Sequence, residues 1–134
     1  MSHNGQAGYL TTITSAAEQL FLNGLVGANR LLWIGADDTA VEGSWVWSNG
    51  PEAGQLLSAT YDNWAAGEPN DFGGEDYAVG WWNVDRWNDL PNGYANNGYV
   101  VEFNDTPAIP VPAALPLALT GLASLVALRR RRRA

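Results

Sequence analysis

The sequence of this 134-residue chain contains no cysteine and no lysine, and its single histidine is His3. Without cysteine, the chain has neither disulfides nor a cysteine nucleophile. A serine–histidine–acid triad would depend on His3 alone, and Ser15 is better placed as a helix cap. Zinc is disfavoured as well, because zinc sites are built mainly from histidine and cysteine. The composition therefore argues against nucleophilic catalysis and against a zinc site.

Basic residues are scarce outside the C-terminus. Five of the seven arginines are Arg129 to Arg133, and the rest of the chain carries a net charge of −12. Such an acidic body repels nucleic-acid phosphates and favours the binding of divalent cations. A chain of this length has room for one domain and an appendage. We therefore expect one globular unit that binds no nucleic acid.

An uncharged apolar segment precedes the terminal arginines. Residues 111–128 read VPAALPLALTGLASLVAL, and at ~1.5 Å per residue a helix of this length spans roughly 27 Å, close to a bilayer core. By the positive-inside rule, the arginines would stay in the cytoplasm and the body would lie across the membrane. The sequence thus predicts a domain over 1–105, a linker over 106–110, a transmembrane helix over 111–128 and an arginine tail over 129–133.

The body mixes short strand patterns with one helical segment, which predicts an α+β fold. Ser15 and Glu18 form a capping box for a helix over 16–23, with Gly24 near its end. No periodicity holds between Ser48 and Gly74, and a stretch of this length is usually functional or disordered. The helix residues expected to face inward are Phe21, Leu22 and Leu25. The strands are expected over residues 9–13, 31–35, 44–47, 77–82 and 99–103.

The segment from Glu68 to Asp89 is rich in carboxylates and side-chain amides. Burying such groups together would be costly unless a cation lay among them. Ca²⁺ takes about six to eight hard oxygen ligands, whereas Mg²⁺ accepts fewer from protein. The segment therefore predicts a calcium site. The oxygen donors in it are Glu68, Asn70, Asp71, Glu75, Asp76, Asn88 and Asp89.

Three tripeptides in this segment resemble the sugar-binding loops of C-type lectin domains, in the same order and at similar spacing. They are EPN at 68–70, GED at 74–76 and WND at 87–89. Four further blocks match in register: GYLTTITSAAEQLFL, LLWIGADD, EGSWVW and GYVVEF. The resemblance covers residues 3 to 103. It implies a C-type lectin-like fold with small antiparallel sheets, one or two helices and a long calcium-binding loop.

The resemblance also implies which residues bind calcium and sugar. Two vicinal sugar hydroxyls would complete the coordination of one ion and hydrogen-bond to its acid and amide ligands. The EPN order implies mannose-type sugars, and Pro69 is expected to follow a cis peptide bond. The residues that would hold this ion and the sugar are Glu68, Asn70, Glu75, Asn88 and Asp89. A second, structural ion would use Asp38, Glu42, Asp71 and Asp76.

Other interpretations of these residues stay open. Asp38 and Glu42 also fit an ordinary solvated acidic turn. Glu68 and Glu75 could form a glycosidase-like pair, but carboxylates that ligate calcium stay ionised and make poor general acids, so we expect no enzyme. Many domains of the resembling fold bind no sugar. The alternative to carbohydrate binding is therefore a structural or adhesive matrix protein that binds a protein partner and uses calcium only structurally.

The chain departs from the resembling animal domains, which use two disulfides. The matching positions hold Tyr77, Asn92, Val101 and His3. Each missing bridge would remove about 2–4 kcal/mol, so we expect tryptophan packing and bound metal to supply stability instead. Trp87 is accordingly expected to pack beneath the WND turn rather than to stack on a sugar.

The C-terminal segment resembles the PEP-CTERM sorting signals of Gram-negative bacteria and their Val-Pro-Leu-Pro-Ala variant. These signals combine a proline motif, an apolar helix and an arginine cluster. The resemblance implies transient anchoring in the inner membrane, processing by an exosortase-type enzyme and delivery to the cell surface or an exopolysaccharide matrix. A permanent single-span anchor is the alternative. The signal comprises Val111, Pro112, Ala113, Arg129, Arg130, Arg131, Arg132 and Arg133.

The first residues, 1–6, form no positively charged, apolar signal peptide, which does not fit export. The resembling domains also begin with a strand and most of a helix that have no counterpart here. We therefore hypothesise that Met1 is an internal codon of a longer reading frame and that the domain is truncated at its N-terminus. An in-frame stop codon directly upstream of Met1 in the genomic DNA would contradict this hypothesis.

Overall fold

A computed structural model describes residues 2–3, 5–95 and 98–104 of the chain. All described residues belong to one compact unit, which ends at residue 104. The predicted linker, transmembrane helix and arginine tail lie outside the described residues. Within the described part, no helix is long and apolar enough to cross a bilayer.

The described residues form two small sheets and one α-helix. Strand β2 lies between β1 and β8 in an antiparallel sheet. The larger sheet has the antiparallel order β4-β3-β5-β6, and β7 pairs in parallel with the start of β3. This architecture confirms the predicted α+β class. In chain order the elements are β1 (Ser2–His3), β2 (Gln6–Leu10), α1 (Ala16–Val26), β3 (Leu32–Asp37), β4 (Val46–Trp47), a 3-10 helix (Leu57–Ala59), β5 (Tyr77–Trp82), β6 (Arg86–Leu90), β7 (Gly98–Tyr99) and β8 (Val101–Phe103).

The strand predictions are confirmed to different degrees. The strand over 77–82 has the predicted bounds. The strand expected over 9–13 ends at Leu10, and Thr11 instead connects two sheets, because its N–H donates to Val100 O at 3.0 Å and its carbonyl accepts from Gly35 N at 2.8 Å. The strand expected over 99–103 is divided at Val100, because this segment also passes from one sheet to the other: β7 pairs with β3 and β8 pairs with β2.

Helix α1 begins at the predicted cap and ends later than predicted. Ser15 Oγ accepts a hydrogen bond of 3.2 Å from Glu18 N. The Glu18 carboxylate accepts one of 2.8 Å from Thr14 N, one residue before the position that a standard capping box would use. The helix runs past Gly24 and stops before Gly27, whose φ of 80° suits glycine and ends the helical path.

The core-facing side of α1 carries polar residues that form hydrogen bonds with tryptophan side chains of the core. Buried Gln19 accepts a hydrogen bond of 2.8 Å from Trp87 Nε1, and Asn23 Oδ1 accepts one of 2.9 Å from Trp81 Nε1. Gln19 Nε2 also donates to Asn23 Oδ1 at 2.8 Å. Two buried indole N–H groups are thereby satisfied by the helix, which fixes its rotation on the sheet.

The predicted inward face of the helix is therefore right for one residue and wrong for two. Leu22 is buried, whereas Phe21 and Leu25 are 66% and 68% exposed. Residues three or four positions apart share one face of a helix. Since Gln19 and Asn23 point to the indoles, the buried stripe passes through Leu22 and leaves Phe21 and Leu25 to one side.

Tryptophan fills the core, as the composition predicts. Trp47, Trp81 and Trp87 are fully buried. The ring of Trp87 meets the ring of Trp47 edge to face at 6.1 Å and that of Trp64 at 5.8 Å. Such pairs add to the free energy gained from burial alone. The prediction that Trp87 packs inside rather than binding a ligand is confirmed.

Replacing Gln19 with Met keeps an unbranched side chain but removes the acceptor for Trp87 Nε1. Because an unpaired buried donor costs about 1–3 kcal/mol, the free energy of unfolding measured in urea should fall by that amount. The matched control is Leu20→Met, at a position 72% exposed on the same helix, which should change the free energy by less than about 0.5 kcal/mol. Equal effects of the two substitutions would contradict the anchoring role of Gln19.

Candidate calcium and ligand site

The WND segment lies on a strand rather than in a loop. In β6, Asn88 pairs with Val79 and Asp89 with Ala78 of β5. Asn88 is buried and Asp89 is 0% exposed. The resemblance of WND to a sugar-binding loop led us to expect these two residues in a loop, and this expectation is wrong: Trp87 fills the core and the polar residues that follow it continue the strand. Their carboxylate and amide groups are held by a rigid element.

The Asp89 carboxylate organises the loop that precedes β5. Its Oδ2 accepts hydrogen bonds from the backbone N–H groups of Asn70 at 2.9 Å and Asp71 at 2.7 Å. Within the loop, Asp71 Oδ1 accepts from Glu75 N at 2.8 Å and Glu75 Oε2 accepts from Phe72 N at 3.2 Å. The acidic side chains thus fold the loop back over the end of β6.

Glu68 and Asn70 lie on either side of Pro69 in the same loop. The Glu68–Pro69 peptide bond is cis, which confirms the prediction. Asn70 Nδ2 donates a hydrogen bond to Glu68 Oε2, and Asn70 Oδ1 accepts one of 2.8 Å from Phe72 N. The acid and the amide of the EPN tripeptide therefore form a donor–acceptor pair at the surface.

The carboxylates of this loop repel one another. Burial raises the pKa of Glu68 and of Glu75 above the ordinary value, and the nearby charge of Asp89 raises both further. The hydrogen bond from Asn70 acts in the opposite direction on Glu68. Within the described residues, the ion pair that the structure records joins Arg86 to Asp85 at 3.7 Å, away from this group. Three carboxylates thus face one another, and no cationic side chain of the described residues is paired with them.

Four of the five residues predicted to hold the sugar-binding ion are brought together by these contacts. They are Glu68, Asn70, Glu75 and Asp89. Asn88 lies beside them on β6, but the side-chain hydrogen bond it makes within the described residues runs from Nδ2 to the Asp89 carbonyl at 2.6 Å. The donor set is entirely oxygen, which fits Ca²⁺.

A second acidic cluster follows β3 and contains Asp38, Glu42 and Asp76. One carboxylate oxygen from each residue lies within 4.8 Å of the others. Asp38 Oδ2 accepts a hydrogen bond of 2.8 Å from Gly43 N, whereas Asp38 Oδ1 is buried and has no hydrogen-bond partner in the described part of the chain. Because an unpaired buried carboxylate oxygen is costly, the cluster fits a bound divalent cation better than a solvated turn.

Asp71, the fourth residue predicted for this second ion, lies between the two clusters. Its Oδ1 accepts the bond from Glu75 N in the first cluster. Burial raises the pKa of Glu42 in the second cluster, and the charges of Asp38 and then Asp71 raise it further. The two clusters are therefore neighbours, and Asp71 couples them electrostatically.

Sequence reasoning missed Phe72. This residue is 84% exposed at the tip of the loop, between Asp71 and Gly73. Its N–H donates to both Asn70 Oδ1 and Glu75 Oε2, so its backbone is fixed by two of the predicted ligand residues. The signal available in the sequence was an aromatic residue directly inside a cluster of calcium-type donors.

The sequence profile of the family described as Lectin C-type domain matches residues 3–100. The chain belongs to this family. Ladderlectin of Oncorhynchus mykiss is 34% identical over 101 residues, which cover 71% of this chain and 50% of ladderlectin. Halomucin of Haloquadratum walsbyi is 38% identical over 112 residues, covering 76% of this chain and 1% of halomucin.

Solved structures agree with this assignment. The C-type lectin CEL-I from Cucumaria echinata superposes with a TM-score of 0.58 at 29% identity, covering 72% of this chain and 69% of that chain. The resemblance inferred from the three tripeptides and the four further sequence blocks is therefore confirmed for the lectin domain. The chain spans half or less of the length of ladderlectin and of halomucin.

The metal-free C-type lectin domain should lose stability as pH rises. Glu68 and Glu75 have raised pKa values in the folded state, so the folded chain holds these protons more tightly than the unfolded chain, whose glutamates titrate near 4.5. This stabilisation is complete below pH 4.5 and is lost as pH rises through the raised pKa values. Burial also raises the pKa of three other carboxyl groups, which should therefore lower the stability in the same direction as pH rises. They are Asp38, Glu42 and Glu102.

Thermal unfolding in a chelator, from about pH 4 to about pH 8, measures this effect. The Tm should fall across the range, and added calcium should reduce or reverse the fall because a bound cation removes the repulsion. A Tm in chelator that rises with pH would contradict the mutual repulsion of these carboxylates.

Proposed function

We propose that this domain binds carbohydrate through a calcium ion held by the set predicted from the sequence. The observation that carries the proposal is the meeting of the Glu68, Glu75 and Asp89 carboxylates, with which no cationic side chain of the described residues is paired. When bound, calcium would supply coordination positions for sugar hydroxyl oxygens. A binding role rather than catalysis fits the lectin family to which the chain belongs. The set is Glu68, Asn70, Glu75, Asn88 and Asp89.

The hydrogen bond between Asn70 and Glu68 indicates how a hydroxyl would be recognised. Asn70 Nδ2 donates to Glu68 Oε2. A sugar hydroxyl has one donor and two acceptor positions, so it can accept from the amide and donate to the carboxylate at the same time. Glu68 and Asn70 would therefore exchange a bond with each other for bonds to the ligand.

The preferred sugar of this proposal is of the mannose type, with equatorial 3- and 4-hydroxyls, because the tripeptide at 68–70 has the order EPN. The exposed ring of Phe72 lies next to these residues in the chain. An aromatic ring beside a polar site can pack against the C–H face of a sugar. Phe72 would then add apolar contact to a site that is otherwise polar.

Protein binding is the second candidate function. Large apolar residues are exposed together on one side of α1, and such patches often mark protein contacts. They are Leu20, Phe21 and Leu25. In this case the domain would be a structural or adhesive matrix component, and the acidic clusters would hold calcium only for rigidity.

The proposed setting of the domain is the bacterial surface or an exopolysaccharide matrix. Its support is the sequence of residues 111–133, which resembles an exosortase-processed sorting signal with a membrane-spanning segment. The domain would be exported, anchored at least transiently in the inner membrane and then released. Detection of the intact C-terminus on the mature surface protein by mass spectrometry would contradict processing.

Asn70→Asp separates the two functions. Aspartate still offers an oxygen to calcium, but it replaces the amide donor with a second charge beside Glu68, so mannose binding should weaken by about tenfold or more while calcium uptake persists. Calorimetric titration with mannose, in calcium and in EDTA, measures both. The matched control is Asn83→Asp, which makes the same charge change in the exposed turn at the opposite end of the β5–β6 hairpin.

The control variant should bind mannose like the unmodified chain. Mannose binding that survives both Asn70→Asp and EDTA would contradict the lectin proposal, as would complete absence of mannose-type glycan binding in calcium. In the latter case the protein-binding candidate would remain.

A further inference from the structure

A cleft of about 440 Å³ opens beside the proposed calcium site. Pro69, the central residue of the EPN tripeptide, lines it, and so does Glu42 of the second acidic cluster. Pockets that hold small ligands begin at about 300 Å³. The cleft is therefore large enough for a ligand group and adjoins both acidic clusters, yet the proposed contacts to a single sugar do not use it.

The apolar part of the cleft is rigid and aromatic. Trp45, Leu57 and Trp64 line it, and the two indole rings meet at 4.7 Å. Leu57 N donates to Trp45 O at 3.0 Å, and Ala65 N donates to Trp87 O at 2.9 Å. Backbone hydrogen bonds therefore hold the chain segments that carry the lining residues Trp45, Leu57 and Trp64. Neither the Trp45 nor the Trp64 indole N–H donates a hydrogen bond within the described residues. A fixed wall of this kind lowers the entropy cost of binding.

The polar part of the cleft offers uncommitted hydrogen-bonding groups. Ser44, Ser58 and Asp62 line it, and in the part of the chain that the structure describes none of their side chains makes a hydrogen bond. Hydroxyls donate and accept, and a carboxylate accepts. A lining that combines aromatic side chains with such groups suits a pyranose ring, which presents C–H bonds on its faces and hydroxyls around its edge.

We infer that this cleft binds a second saccharide residue, so that the physiological ligand is a neutral oligosaccharide whose first residue lies at the calcium site. The inference rests on the proposed function. An alkyl chain fits less well, because it would cover the polar groups of Ser44, Ser58 and Asp62 without bonding to them. Acidic sugars are disfavoured because Glu42 and Asp62 add negative charge to the cleft.

The test compares methyl α-mannoside with mannose disaccharides and trisaccharides of defined linkage, by calorimetric titration of the full chain in saturating calcium. At least one oligosaccharide should bind about tenfold more tightly than the monosaccharide. Ser58→Tyr fills the cleft from an exposed position and should reduce this advantage to about twofold or less, with the affinity for methyl α-mannoside unchanged. The matched control is Ala59→Tyr, on the same 3-10 helix but outside the cleft, which should leave the affinity advantage of the oligosaccharide unchanged.

Asp62→Asn is a second variant that keeps the shape of the cleft and should lower the oligosaccharide advantage about threefold or more without affecting the monosaccharide. If methyl α-mannoside binds but no oligosaccharide binds more tightly, the cleft inference is overturned and the proposed function stands. If no saccharide binds in calcium, both are overturned. Octyl mannoside provides a further control. If its affinity exceeds that of methyl α-mannoside by as much as the affinity of the best oligosaccharide does, and Ser58→Tyr removes this excess, the cleft is an apolar subsite and the inference is overturned.

Discussion

Repulsion among carboxylates that the fold holds together is the constraint on which the functional end of this domain depends. Glu68, Glu75 and Asp89 share one loop–strand junction, and burial and the charge of Asp89 raise the pKa of both glutamates. Asp38 adds a buried oxygen without a hydrogen-bond partner in the described residues. Such an arrangement costs free energy, and a divalent cation would relieve it. The proposed ligand site and the stability of the domain would therefore be linked.

The core imposes this arrangement through Trp87. Its indole bonds to Gln19 of α1, while its backbone N–H donates to Asn63 O at 2.9 Å and its carbonyl accepts from Ala65 N at 2.9 Å. One residue thus joins the helix, strand β6 and the loop that leads to Glu68. Asp89 follows two residues later and binds the backbone of Asn70. The chain has no disulfides, so tryptophan packing and the hydrogen bonds of Trp87 and Asp89 position the site residues relative to the core.

Sequence patterns predicted the features that depend on local chemistry. The Ser15 cap, the bounds of β5 and the cis bond before Pro69 are all visible in short motifs. Strand β6 and the rotation of α1 depend on tertiary contacts instead. Asn88 and Asp89 are polar yet lie in a buried strand, and Gln19 is polar yet faces the core. Gln19 is stabilised there by a buried indole N–H, and Asp89 by backbone N–H groups. The periodicity of the sequence gives no information on such hydrogen-bond partners.

Calcium titration calorimetry on the chelator-treated full chain tests the central claim most directly. The account predicts heat of binding and a rise in Tm with calcium. In Asp38→Asn, part of the uptake should be lost while binding at the Glu68 and Asp89 group persists. A well-folded chain that takes up no calcium at about millimolar concentration, the weak end of the range for protein calcium sites, would contradict the account.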